Sequence, residues 1–305
     1  MSPPNLTVMP ECKASGTLGT GLVSVSTAPY DGYDLERTLE SIARIGAGHL
    51  ELSEPIGYRA RVHESWYSPQ SAAIFAAALK CHGLQCHAVS AHLDLLEAGE
   101  RREFAQRLDF AQRVGAEVVN VFAGPKRRER EAIEALRWAA GLASEFGLMI
   151  GLENSADGGE SLLNLAADAP RLLEQIGCEC VGLTYDLGNT LTHRPAVDPV
   201  SDALVALPYC VHLHMKGLRQ EPEGLFYAAL GEGCLDPAEL VRAAMRRGVS
   251  MAIELPLRQH RQPDGGVGRS RYRVALRDIE VAVATSLRWI HSCSVTASLV
   301  EQACV

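Results

Sequence analysis

The chain has 305 residues, 47% hydrophobic and 22% charged, with 37 acidic against 29 basic side chains and a net charge of −8 at pH 7. That length allows one large α/β domain or two ordinary ones, and the acidic balance argues against a nucleic-acid backbone as the main partner, which calls for a basic face. No run approaches the ~18 apolar residues of a membrane span, and the first 16 residues (MSPPNLTVMPECKASG) lack the layout of a secretory signal, so a cytoplasmic protein with no membrane partner is expected.

Residues 1–16, rich in Pro and Ser, read as a flexible arm. Short β-rich runs then alternate with longer segments of helical period. The strands read are Leu18–Ser26, His49–Ser53, Gln85–His92, Glu117–Ala123, Met149–Asn154, Val181–Asp186, Cys210–Lys216 and Met251–Leu255. Helical segments fall between them at Asp34–Ile45, Ser71–Cys81, Glu100–Val114, Arg128–Phe146, Ser161–Ile176 and Pro237–Arg247. Six of the turns back into a strand carry a glycine (RIGAG, KCHGLQ, RVGAE, EFGLM, QIGCE, RRGVS), the residue that takes a left-handed conformation at a helix end without steric cost.

Apolar strands alternating with helices make a parallel sheet covered on its outside. Eight such units in one chain predict a single (β/α)8 TIM barrel over residues 17–290, with 291–305 as a helical C-terminal extension. No G-x-G-x-x-G follows a strand, which disfavours an open dinucleotide-binding sheet. Arg258–Arg269, polar and glycine-rich, reads as a mobile loop over the barrel mouth. The nine cysteines are odd in number. Most, such as Cys81, Cys86, Cys210 and Cys293, fall in apolar stretches, which predicts buried free thiols. Cys178-Glu179-Cys180 lacks the spacing of a zinc knuckle and reads as structural.

In a parallel barrel the working groups sit at the C-terminal ends of the strands. Strands five to eight end in Glu153 (IGLEN), Asp186 (LTYDLGN), His214 (VHLHMK) and Glu254 (AIELP). Any one of these acids read alone is a helix cap or a solvated group. Three carboxylates converging on one mouth repel unless a cation lies between them. With one imidazole they make an oxygen-rich site suited to one divalent ion, manganese first, with magnesium, cobalt or zinc as alternatives. His214 lies nearer the rim and is the expected ligand. His212 shares its face one layer deeper, where it either orients a ligand or is a satisfied core histidine.

These pieces, with HLEL (Glu51), SAH (His92), GAEVVNVFAG and ALGEG, resemble the xylose-isomerase-like barrel superfamily of sugar isomerases and epimerases. The resemblance spans roughly Leu18 to Trp289. It implies that Glu153, Asp186, His214 and Glu254 hold one divalent metal and that Glu153 and Glu254 are the catalytic acid–base pair. The implied activity is isomerisation or epimerisation of a keto-sugar or polyol derivative, by proton abstraction beside a metal-bound carbonyl through an enediolate.

The chain departs from that pattern at Asn189, where many members carry a histidine, and at Gly217, where an aspartate usually follows the lysine. Asn189 is a poor metal ligand and argues against a multi-zinc site. Expected substrate contacts are Glu51, His92, Asn189, His212, Lys216 and Arg219, the last as a binder of phosphate or carboxylate in the loop after strand seven. The alternative function is a metal-dependent lyase or dehydratase, eliminating a β-substituent from a keto-sugar, cyclitol or C-glycoside. The expected partners are a small carbohydrate or polyol and further copies of the chain, as a homo-dimer or tetramer.

Overall fold

The structure is a computed structural model and describes residues 21–53, 64–154 and 159–303. The predicted arm at 1–16 and the start of the first predicted strand lie outside these residues. Eight parallel strands close into a barrel: β1 (Val23–Ser26), β2 (His49–Leu52), β3 (Gln85–Ser90), β4 (Val118–Phe122), β5 (Met149–Glu153), β6 (Val181–Asp186), β7 (Cys210–Met215) and, last in the chain, β10 (Ser250–Ile253). The order around the barrel follows the sequence, and β10 closes the ring by pairing with both β7 and β1. This is the predicted (β/α)8 architecture.

Helices α1 (Leu35–Arg44), α2 (Pro69–His82), α3 (Ala98–Arg113) and α4 (Glu129–Glu145) connect the first five strands. Each begins where local chemistry satisfies its first amides or ends where the chain can turn. Asp34 caps α1 by accepting from the Arg37 amide at 2.8 Å, and Ser68 caps α2 through the Ser71 amide. The six turn glycines (Gly46, Gly83, Gly115, Gly147, Gly177 and Gly248) all have φ between 67° and 84°. Along α4, Ala132, Leu136, Ala139 and Ala143 recur at helical spacing and are buried against the barrel.

Three sequence expectations need correction. The segment Ser161–Ile176 is α-helical only as α5 (Ala169–Ile176), preceded by a 3₁₀ turn at Ala166–Asp168. Ser161 and Leu162 instead bond back to the Gly124 carbonyl, and the Asp168 carboxylate takes the amides of Asn164 and Leu165. Two short helices, α6 (Leu187–His193) and α7 (Pro199–Ala206), fill the β6–β7 connection that carried no helical prediction. The stretch Arg258–Arg269 is not an irregular loop. It holds β11 (Gln259–Arg261) and β12 (Val267–Arg269), which join β8 (Gly217–Glu221) and β9 (Gly224–Ala228) in a four-stranded antiparallel sheet, order β12-β11-β9-β8.

That second sheet is grafted on the C-terminal ends of β7 and β10. Asp31, in the loop after β1, fastens it: Arg269 donates from Nε and Nη2 at 2.7–2.9 Å and Arg258 from Nη1 at 3.2 Å. Helix α8 (Ala238–Arg247) precedes β10, and α9 (Leu276–Ala303) runs unbroken past residue 290. Among the described residues no helix is long and apolar enough to cross a membrane. Seven described cysteines are free. Cys86 and Cys293 are buried as expected, whereas Cys81 is exposed and Cys210 only half-buried. Cys178 and Cys180 lie with their sulfurs 2.9 Å apart as thiols.

Candidate metal centre and active site

The ends of β5, β6, β7 and β10 meet at the mouth of the barrel. One ligand atom from each of Glu153, Asp186, His214 and Glu254 lies within 4.8 Å of the others, and all four residues are buried. Barrel register brings them together: Asp186 pairs across from His214, and β5 and β10 flank that pair at neighbouring positions. His214 Nδ1 faces the carboxylates of Glu254 at 3.0 Å, Glu153 at 3.2 Å and Asp186 at 3.8 Å. Asp186 serves two purposes. Its Oδ1 caps α6 through the amides of Gly188 (2.8 Å) and Asn189 (3.1 Å), and its Oδ2 turns into the cluster.

Below the cluster lies a second buried group of Glu51, His212 and His214. Glu51 Oε2 receives His214 Nε2 at 3.0 Å, His212 Nε2 at 3.1 Å and Asn120 Nδ2 at 2.9 Å. Asn120 is held in turn by the Thr184 hydroxyl at 2.6 Å, and His212 Nδ1 meets the Ser250 hydroxyl at 2.7 Å. A side chain at Gly151 would displace Thr184, so the glycine makes room for this polar layer inside the barrel. Glu51 and His212, expected as substrate contacts, do not line the cavity above. Both are fully buried beneath the ligand cluster; Glu51 meets the His214 ring nitrogen directly, and His212 meets Glu51 and lies edge-on to the His214 ring at 5.7 Å.

Burial opposes charge on every member of the site, and the neighbours decide the outcome. Burial lowers the His214 pKa, but Glu51, Glu254 and Glu153 together raise it well above the usual histidine range. Burial raises Glu51 and Glu153, yet their histidine partners hold both well below the usual carboxylate range. Asp186 is pushed up to about 6 by burial and by Glu153 and Glu254, against the pull of Lys216. Lys216 reaches Glu254 Oε2 at 3.0 Å and forms a close ion pair with Asp186. A Cβ at Gly188 would fall 2.9 Å from Lys216 Cβ and Cδ, so the glycine clears the path of that side chain.

The donor set fits a divalent cation. With Nε2–H given to Glu51, His214 turns its other ring nitrogen toward three carboxylate groups, an arrangement that a shared cation stabilises. Asn189 lies beside the cluster and not within it, donating to Glu153 Oε1 at 3.1 Å and to the Asn154 carbonyl.

Above the cluster opens a cavity of about 1160 Å³, lined by Glu153, Glu254, Asn189, Lys216 and His92 and roofed by the second sheet. His92 Nε2 lies 2.7 Å from Glu153 Oε2 and its ring stacks on Phe122 at 4.1 Å. Arg219 stands apart. It is exposed and paired with Glu221 on β8, at a register position shared with Phe226 and His260 on the outer face of the second sheet. Asn120 and Asn154 carry no sequence expectation, although a lone Asn inside VVNVF is a polar residue in a buried strand, which is the signal for Asn120. Asn154 ties β5 to β6, accepting from the Asp186 amide at 2.7 Å.

The family model for xylose isomerase-like TIM barrels matches residues 39–292. The chain belongs to that family. Among solved structures, this xylose isomerase-like barrel is similar to a xylose isomerase-like TIM barrel protein from Mycobacterium smegmatis in complex with magnesium, at 16% identity and TM-score 0.66, covering 92% of this chain and 99% of that one. It is also similar to D-psicose 3-epimerase with D-tagatose from Clostridium cellulolyticum H10, at 15% identity and TM-score 0.67, covering 90% and 99%. A probable 3-DHS dehydratase involved in petrobactin synthesis from Bacillus anthracis aligns at 15% identity and TM-score 0.65, covering 86% and 97%. No curated protein matches the chain.

Proposed function

We propose that the protein is a divalent-metal-dependent isomerase or epimerase of a keto-sugar or polyol derivative. The observation that carries this reading is the convergence of three carboxylates and one imidazole nitrogen, two of whose members, Glu153 and Glu254, line a cavity roomy enough for a sugar. Glu153, Asp186, His214 and Glu254 would hold the ion, manganese first, with magnesium, cobalt and zinc as alternatives. When bound, it supplies Lewis acidity that favours negative charge on a neighbouring substrate oxygen.

The chain's own groups do the rest. Glu153 and Glu254 both reach the cavity and come from strands on either side of β6 and β7, so they are placed to remove a proton at one carbon and return one. Asn189 donates to one oxygen of Glu153, and the His92 ring nitrogen stands 2.7 Å from the other. The Lys216 ammonium, buried beside Glu254, keeps that carboxylate ionised and low, at about 2, against the cost of burial.

A β-elimination on the same floor is the second reading. The partly exposed imidazole of His92, beside Glu153, favours it as a proton donor to a departing hydroxyl. A similar barrel that is a probable 3-DHS dehydratase lends it support. Incubation of the manganese-loaded protein with keto-sugars in D₂O tests both. An isomerase or epimerase incorporates deuterium beside the carbonyl with no loss of water, and a dehydratase releases water. Glu153→Gln and Glu254→Gln are each expected to slow exchange by about 10²-fold or more. Full exchange in both variants would overturn the acid–base assignment.

A further inference from the structure

The cavity lining contains four Arg and Lys side chains: Arg127, Lys216, Arg261 and Arg269. Lys216 is taken by Asp186 and Glu254, and Arg269 by Asp31. Arg127 is exposed on the short 3₁₀ turn Lys126–Arg128. Arg261 is half-buried and has no carboxylate within ion-pair distance among the described residues.

The second sheet dictates which way Arg261 points. Residues paired across an antiparallel ladder share a face, and alternate residues along a strand share it too. Arg261 pairs with Val267, and Gln259 with Arg269, and all four line the cavity. His260, Phe226 and Arg219 occupy the opposite face, with the His260 and Phe226 rings stacked at 4.5 Å. Tyr227, in register with Leu218, joins the cavity face with its hydroxyl unpartnered among the described residues. Asp31 anchors the β11–β12 hairpin through Arg269, which holds Arg261 over the mouth.

Resting on the proposed function, we infer that Arg261, with Tyr227 and Gln259, forms a subsite for a carboxylate carried by the substrate, which makes the substrate class an acidic keto-sugar or cyclitol. A guanidinium pairs with a carboxylate through two parallel hydrogen bonds, and a phenol hydroxyl adds a third donor. A phosphate subsite is disfavoured by the adjoining turn. The amides of Gln262, Gly265 and Gly266 are spent on Gly266 O, Gln262 O and Asp264 Oδ1, so the glycine pair offers no cradle of free N–H groups. Tyr227 lines the same cavity as Arg261, Lys216 and Glu254, which joins the subsite to the ligand cluster.

Three ketoses that differ at one carbon separate the cases: D-fructuronate, D-fructose and D-fructose 6-phosphate, bound to the manganese-loaded protein and followed by calorimetry. Wild type is expected to bind D-fructuronate about tenfold or more tighter than D-fructose. Arg261→Ala is expected to abolish that preference without changing D-fructose affinity, and Arg261→Lys to keep part of it. Arg219→Ala, on the outer face, is expected to keep all of it. Equal affinities for D-fructuronate and D-fructose in wild type, including no binding of either, would overturn the subsite. So would a preference that survives Arg261→Ala, and so would tighter binding of the phosphate than of the uronate. The readout is affinity alone, so an Arg261-dependent preference in a protein that shows no exchange in D₂O would sink the isomerase and leave the subsite standing.

Discussion

At the scale of single residues, the site is built by giving each buried charge a specific partner. Glu51 is the clearest instance: it touches no cavity, yet it fixes the tautomer and ring plane of His214. A glutamine there keeps the shape and removes the charge that draws the Nε2 proton. Glu51→Gln is therefore expected to weaken manganese binding by about 10–100-fold while the far-ultraviolet circular dichroism stays that of wild type. Unchanged manganese affinity in a titration would show that Glu51 is a packing residue. Asp186 illustrates why single residues read ambiguously from sequence. The cap is made by one oxygen, Oδ1, while the other, Oδ2, turns into the cluster that would hold the metal, so one acid at a strand end supports both readings.

At the scale of elements, the antiparallel sheet of β8, β9, β11 and β12 is the part that hydropathy did not reveal. Its strands are three to five residues long and partly exposed, so no alternation rises above that of an ordinary polar loop. What makes it a sheet is long-range pairing and the clamp of Asp31 on Arg258 and Arg269. Asp31→Ala removes the shared carboxylate of two partly buried guanidinium groups and leaves Arg258 with only its bonds to the Ser270 and Arg271 carbonyls. Hydrogen exchange of residues 259–269 is expected to quicken by about tenfold or more, with exchange of the barrel strands unchanged. Equal protection in the variant would mean that ladder bonds alone secure the hairpin. The same pairing explains why Arg219 turned outward and Arg261 inward, since the two lie on opposite faces of one sheet.

At the scale of the whole molecule, the barrel encloses a polar layer in place of a purely apolar centre, and that layer makes stability depend on pH. His87 lies against it, its ring 5.5 Å from that of His212. Burial depresses its pKa from 6.5 to about 3, helped by His212 and His49 and opposed by Glu51. The folded state thus keeps the ring neutral, whereas the unfolded chain takes a proton below 6.5. This contribution is complete above pH 6.5 and is lost as the pH falls toward 3, at about 1.4 kcal/mol per pH unit. Urea unfolding at pH 7 and pH 5 is expected to differ by about 2 kcal/mol more in wild type than in His87→Gln. Identical pH slopes would show that His87 is not what destabilises the protein in acid.

The sequence by itself determined the barrel and the four converging side chains, because both are periodic facts. Strand–helix alternation closes a parallel sheet, and a parallel sheet sends every strand end to one mouth. From that geometry Glu153, Asp186, His214 and Glu254 were legible before any coordinates. Tertiary structure alone decided which residues stand behind them and which face the substrate. Glu51 meets His214 across 163 positions, and Asp31 meets Arg269 across 238. No local pattern encodes pairings at such separations, because they arise only when the ring closes and the second sheet folds over it.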